Sequence, residues 1–177
     1  CPTVRECARL NDVILHDLIP GNATTHPCVD ELIDTTGNAA MAGGDWTLLY
    51  ARFPAEVLAR LEPNGVPAAV LTLKNLLLLI LTRNLRVSTG LCNGTRLLLM
   101  DYTLNILRCR VIGGPSNGDV TFIPRTWSTV NDGTSAVAFR RRQFPVAPGY
   151  VTTIHRQQGT TLICAGLWLN TSIFAHG

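Results

Sequence analysis

The chain has 177 residues, 46% of them apolar, and a net charge of +3; that is enough for one core-forming domain, or one domain and part of another, and too apolar for a mostly disordered polypeptide. Its longest apolar run, residues 76–81, lies between Lys74 and Arg83 and falls far short of the ~20 residues of a spanning helix, so no membrane partner is expected. The N-terminal stretch CPTVRECARLND carries charges among its first ten residues, lacks an apolar signal core and starts with Cys1, which reads as a fragment whose targeting information is missing.

The first predicted element is a helix. Thr3 and Glu6 form a T-x-x-E capping box, and Val4, Cys7, Leu10, Ile14 and Leu18 share one helical face until Pro20-Gly21 stops it. Residues 22–45 show little periodicity and hold Thr35-Thr36-Gly37-Asn38 and Gly43-Gly44, the pattern of a long loop or partly ordered excursion to which no function is assigned. A short helix is expected over residues 53–61, with Pro54 in its first turn and Pro63-Asn64-Gly65 behind it. Beyond Pro67, short apolar runs alternate with turn dipeptides such as Asn93-Gly94 and Asn117-Gly118, the spacing of a small β-barrel. Strands are predicted at residues 68–73, 76–81, 95–100, 105–112, 120–124, 150–155 and 162–169. The Leu-rich run at 76–81 fits a buried helical turn equally well. Asn93-Gly94 reads as a hairpin turn that needs positive φ and no ligand. No internal repeat is visible.

The charge is unevenly spread: five basic against nine acidic residues up to position 80, a net −4, and ten arginines against three aspartates beyond it, a net +7. Fourteen of the fifteen basic residues are Arg, whose planar fork grips phosphate with two hydrogen bonds and stacks on bases. The second half is therefore a polyanion-binding candidate, with a solvated basic surface as the equal alternative. Six cysteines and three glycosylation sequons, at Asn22, Asn93 and Asn170, invite a secreted, disulfide-bonded interaction domain, but the cysteines are sparse and no signal peptide precedes them. No C-x-x-C pair and no His at zinc spacing occurs, so no metal site is assigned. No G-x-S-x-G elbow is present either, and no catalytic residue is named.

The most informative segment is YVTTIHRQQGTTL, residues 150–162, which follows the basic knot Arg140-Arg141-Arg142. Cations beside a glycine at the end of an apolar run point to a phosphate-binding edge, although a solvated strand tip has the same look. Aromatic stacking on bases could come from Tyr150 or Trp127, both equally suited to a core.

Four blocks in fixed order resemble the C-terminal half of the PIF-type (petite integration frequency) 5′-to-3′ DNA helicases, especially the branch encoded by Helitron-like elements of eukaryotic genomes. Leu10-Asn11-Asp12-Val13-Ile14-Leu15 through Pro20-Gly21 is similar to that family's I-N-D-x-I-L motor helix and following P-G. FPAEVLARLEPNGV, residues 53–66, resembles the lead into the small SH3-like insertion called 2B. TRNLRVSTGLCNGTRL, residues 82–97, resembles the 2B signature, and Thr153-Ile154-His155-Arg156-Gln157-Gln158-Gly159 is similar to motif V. Two departures stand out. Asn75-Leu76-Leu77-Leu78-Leu79-Ile80 replaces a Val-Gly-Ala-Pro-Val-Met type run, removing a Gly and a Pro from a turn, and Arg156-Gln157-Gln158-Gly159 replaces Lys-Ser-Gln-Gly, as in a decayed copy.

The resemblance implies an α/β fold with a β-rich part: a fragment of a second RecA-like lobe carrying an SH3-like 2B barrel. Its start lies in residues 1–21, a loop or variable segment in 22–52, the 2B-type insertion with its flanks in 53–135, and the returning lobe with motif V in 136–177. It further implies single-stranded DNA as partner, with Thr153, His155 and Arg156 facing the DNA backbone and Arg83, Arg96, Arg140, Arg141 and Arg142 as further phosphate contacts. Gln158 and Gly159 would couple DNA to nucleotide. ATP and Mg²⁺ would serve the full-length helicase, none being bound by this chain alone, which has no G-x-x-x-x-G-K-[ST] loop. A missing first RecA-like lobe would be the other partner, and the nucleus, or else the mitochondrion, the location. A non-catalytic nucleic-acid-binding module or a transposon-derived remnant is the alternative.

Overall fold

A computed structural model describes residues 3–33, 50–61, 63, 66–130, 138–157 and 164–169. The chain opens with helix α1, Val4–Val13, whose N-cap Thr3 accepts the Glu6 N–H on its hydroxyl at 3.2 Å, satisfying one of the orphan donors of the first turn. A π-helical turn, Ile14–Leu18, continues it. This turn is wider than an α turn. The buried face is Cys7, Asn11, Leu15 and Ile19, one position off the expected stripe, and Val4 and Leu18 are 77% and 72% exposed. The end of the turn is closed from a distance: the buried Lys74 ammonium donates to the carbonyls of Ile19 at 2.9 Å and His16 at 3.3 Å, where a helix lacks its own donors.

Residues 24–32, expected as loop, form two strands, β1 (Thr24–Pro27) and β2 (Val29–Leu32). Neither has a local partner: β1 pairs with β3 (Val70–Leu73) and β2 with β9 (Phe139–Gln143). Short strands held by distant pairing leave little periodicity to read. Residues 34–45 of the expected loop lie outside the described residues. Helix α2, Ala55–Ala59, starts at Pro54 and presses Leu58 into a small core with Leu32, Val130 and Phe139.

The largest layer is a five-stranded antiparallel sheet in the order β10-β4-β5-β6-β7. Its members are β4 (Leu78–Leu81), β5 (Arg96–Tyr102), β6 (Ile106–Ile112), β7 (Val120–Pro124) and β10 (Val146–Pro148). Strict alternation along β6 buries Leu107, Cys109 and Val111 and exposes the residues between them, as a sheet with one wet face requires. The inward residues join the main core, in which Leu73, Leu77, Leu79, Leu81, Leu97 and Leu99 have no exposed surface. The Leu-rich run is thus a turn at Leu76 followed by a strand from Leu78. Strand β8 (Thr126–Val130) joins β9 and β2 in a third sheet.

The expected barrel is not closed: the five-stranded sheet ends at β10 and β7, and every pairing among the described residues is antiparallel. The architecture is mostly β-sheet with short helices. The expected strand at 150–155 is absent, and that at 162–169 does not form over its described residues. Residues 150–153 run as a turn into the short helix α3, Ile154–Gln157, and residues 164–169 have no regular structure. The turn at Asn93-Gly94 is as expected at Gly94, which has φ 91°, while Asn93 keeps negative φ. Where the sequence lacks the expected Gly and Pro, Leu76 takes φ 67°, the one described non-glycine residue with positive φ.

Candidate nucleic-acid interface

Strand β9 settles the fate of the Arg140-Arg141-Arg142 knot, because alternation sends neighbouring side chains to opposite faces. Arg141 points inward and is completely buried. Its Nε and Nη2 donate to the two carboxylate oxygens of Asp30, both at 2.8 Å. Nη2 also reaches the Leu58 carbonyl at 2.8 Å, and Nη1 those of Leu61 at 3.2 Å and Pro67 at 3.3 Å. All five guanidinium protons are used. Burial opposes the charge, but the hydrogen bonds and field of Asp30 more than offset it and hold the group above its ordinary pKa. Arg141 is therefore a structural ion pair joining β9, β2 and α2, and its assignment as a phosphate contact is withdrawn.

Arg140 and Arg142 lie on the opposite face. Arg140 stacks its guanidinium 4.4 Å from the centre of the Trp127 ring and donates to Glu31 at 2.7 and 2.9 Å. Arg142 is exposed and sits directly across the ladder from Trp127. Arg83 enters from the loop after β4 and donates to the Trp127 carbonyl at 2.7 Å and the Ser128 hydroxyl at 3.4 Å. Arg140 and Arg142 thus lie beside one tryptophan on the outer face of β8 and β9, while Arg83 reaches β8 through the Trp127 carbonyl and the buried Ser128 hydroxyl. Glu31 neutralises part of the charge of Arg140; Arg142 has no such partner among the described residues. A flat cation-aromatic surface of this kind can hold a phosphate chain and stack a base.

The remaining expected residues are scattered. Arg96 begins β5 in the other sheet, between Ile80 and Ile112, and its guanidinium has no ion pair among the described residues. Arg156 is exposed on α3, its N–H bonded to the carbonyl of the half-buried Thr153 at 3.1 Å. The side chain of His155, and Gln158 and Gly159 altogether, lie outside the described residues. Among the described residues no three His, Cys, Asp or Glu side chains cluster to hold a metal, and Cys7, Cys28, Cys92, Cys109 and Cys164 are free thiols. Burial pushes the Cys109 thiol up to about 12 and, with Asp30 beside it, the Cys28 thiol up to about 11, so neither is a nucleophile at neutral pH.

One positioning residue escaped sequence reasoning. The Asn11 side chain clasps the Val151 backbone from both sides, Nδ2 donating to the carbonyl at 2.8 Å and Oδ1 accepting the N–H at 2.9 Å. This couples α1 to the segment leading into Thr153 and Arg156, although the two are 140 residues apart. A polar residue at the centre of an otherwise apolar helix face was the available signal. Tyr150 adds a brace, its hydroxyl donating to the Leu76 carbonyl and accepting the Leu78 N–H, each at 3.2 Å. The block 90–96 is likewise structural: the Thr95 hydroxyl donates to the Gly90 carbonyl at 2.8 Å and accepts the Cys92 N–H at 3.0 Å.

Residues 56–102 match the family described as DNA helicase Pif1, 2B domain. The fold is similar to that of solved Pif1 helicases. With Candida albicans Pif1 the TM-score is 0.59 at 20% identity, covering 92% of this chain and 36% of that one. With Bacteroides Pif1 bound to single-stranded DNA it is 0.59 at 15% identity, over 92% of this chain and 32% of that one. The Bacteroides enzyme in complex with ADP-AlF3 and single-stranded DNA gives 0.57 at 15% identity, over 91% and 31%. The chain therefore spans about a third of the length of the helicases it matches. No curated protein sequence matches it.

Proposed function

From the premise that this is a Pif1-helicase-like chain carrying a 2B domain, we propose that it is the C-terminal portion of an ATP-dependent 5′-to-3′ DNA helicase, and that it supplies single-stranded DNA contacts and their coupling to ATP hydrolysis. The observation that carries the reading is the 2B match at residues 56–102. In this reading residues 53–135 are the SH3-like insertion, and residues 1–21 and 136–177 belong to a second RecA-like lobe. The Asn11–Val151 clasp supports grouping those two segments. Thr153, His155 and Arg156 face the DNA backbone, Gln158 and Gly159 relay nucleotide state, and Arg142, Arg83, Arg140 and Arg96 supply further cationic contacts. The first lobe, ATP and Mg²⁺ complete the motor, which works in the nucleus or the mitochondrion.

The residues of this chain do not by themselves fit Mg²⁺-ATP: no Gly-x-x-x-x-Gly-Lys-[Ser/Thr] loop is present in the sequence, and no acidic cluster gathers among the described residues. The purified chain is accordingly expected to act as a binding module, releasing no phosphate from ATP in a malachite-green assay with single-stranded DNA. DNA-stimulated release would refute that. The DNA assignment is tested separately with Arg156→Ala, which should weaken binding to unrelated single strands equally and lower the salt slope by about 0.7 for one lost phosphate contact. An unchanged slope removes Arg156 from the DNA path.

A further inference from the structure

The outer face of the five-stranded sheet carries a second set of cations that the proposed motor does not use. Arg108 and Arg110, two residues apart on β6, emerge on the same exposed face, roughly 7 Å apart along the strand. Their partners across the β6–β7 ladder are Phe122 and Val120, which are 62% and 48% exposed. Among the described residues neither guanidinium has an ion pair or hydrogen bond. Asp101, opposite Arg108 in the β5–β6 ladder, accepts the Tyr102 N–H at 2.9 Å and forms no ion pair with Arg108. The exposed Phe122 ring thus stands beside Arg108, with Val120 beside Arg110. Free arginines at regular spacing beside an exposed ring fit a ligand whose phosphates repeat and whose bases present π faces.

We propose that the outer face of β6 and β7 is a binding strip for single-stranded nucleic acid, on which Arg108 and Arg110 hold neighbouring phosphates and Phe122 stacks a base. The strip stands apart from the Trp127 cluster and from α3, so it does not depend on the motor reading. Duplex is the poorer ligand because its bases are already stacked and cannot reach Phe122.

The test uses the 177-residue chain, a fluorescein-labelled oligothymidylate, and anisotropy titrations at several salt concentrations. The double variant Arg108→Gln, Arg110→Gln should lower the salt slope by about 1.4, two single-strand contacts. Phe122→Ser should weaken binding about tenfold and leave the slope unchanged, since stacking releases no counterions. All three side chains are exposed and form no hydrogen bonds among the described residues, so thermal melts should match the parent chain. Parent-like binding by both variants overturns the strip, even if Arg156→Ala loses affinity and upholds the motor reading. Equal competition by poly-glutamate overturns it as well, because that marks a general polyanion patch.

Discussion

Arg141 illustrates how a side chain's surroundings decide whether its charge is available. With its five donors occupied inside the protein, its removal strands Asp30, which is 2% exposed, without a counter-ion. Arg141→Ala should therefore cost about 3–5 kcal/mol of stability in urea denaturation, whereas Arg142→Ala, at an exposed position, should cost less than about 0.5 kcal/mol. A small effect at Arg141 would contradict the buried pair. Leu76 is the reverse case, a residue the fold tolerates at a cost. It holds φ 67° with a side chain 57% exposed, and a branched side chain in this region is strained by roughly 1–2 kcal/mol. Leu76→Gly should raise stability by about 0.5–1 kcal/mol after the added chain entropy is discounted; a lower melting temperature would count against the strain.

His26 adds a pH dependence. Its ring is 2% exposed, lies edge-on to Tyr102 at 5.3 Å and Phe144 at 5.8 Å, and neither nitrogen has a hydrogen-bond partner. Burial, and secondarily the charge of Arg125, hold its pKa below the ordinary 6.5. The unfolded chain then takes up a proton that the folded chain refuses, so stability is complete above about pH 6.5 and falls as the pH drops toward the depressed folded value. Denaturation at about pH 7.5 and about pH 5.5 should show this loss in the parent and a smaller one in His26→Phe. An identical pH dependence in both would locate the effect elsewhere.

At the scale of elements, β10 is the most delicate junction. A Cβ on Gly149 would meet Ile80 Cγ1 at 2.7 Å and the Leu79 carbonyl carbon at 3.2 Å, because the chain crosses β4 closely as it donates the Gly149 N–H to the Leu78 carbonyl at 2.9 Å. Gly149→Ala should destabilise by about 1–3 kcal/mol and expose the amides of β10 to hydrogen exchange, while β6 stays protected. The strands that sequence reasoning found, β3 to β7, are apolar or alternating runs set off by turn residues. Those it missed are short or charged, and β1, β2 and β10 take their partners from far away. In β2 and β9 the pairs Asp30–Arg141 and Glu31–Arg140 sit directly opposite, so the acidic and basic doublets were the legible trace of the pairing, though nothing local linked them. The segment at 150–155 looked like a strand from its Tyr, Val, Thr and Ile, but the Asn11 clasp takes the Val151 N–H and carbonyl that a sheet would need.

For the molecule as a whole, the division into an acidic first part and a basic second part persists as two outward arginine faces, one around Trp127 and one on β6. Part of the cationic surface was legible because arginine was abundant. Which arginines are free was not, since that depends on the side each strand turns to solvent. The central claim, that this chain is a piece of a helicase's DNA path, is met most directly by the affinity of the parent chain for single-stranded DNA across salt concentrations. The account predicts saturable binding at about 50 mM salt that weakens linearly on a log–log plot with a slope of about 2 or more, the mark of several phosphate contacts. No binding at that salt, or binding that salt does not weaken, would contradict it.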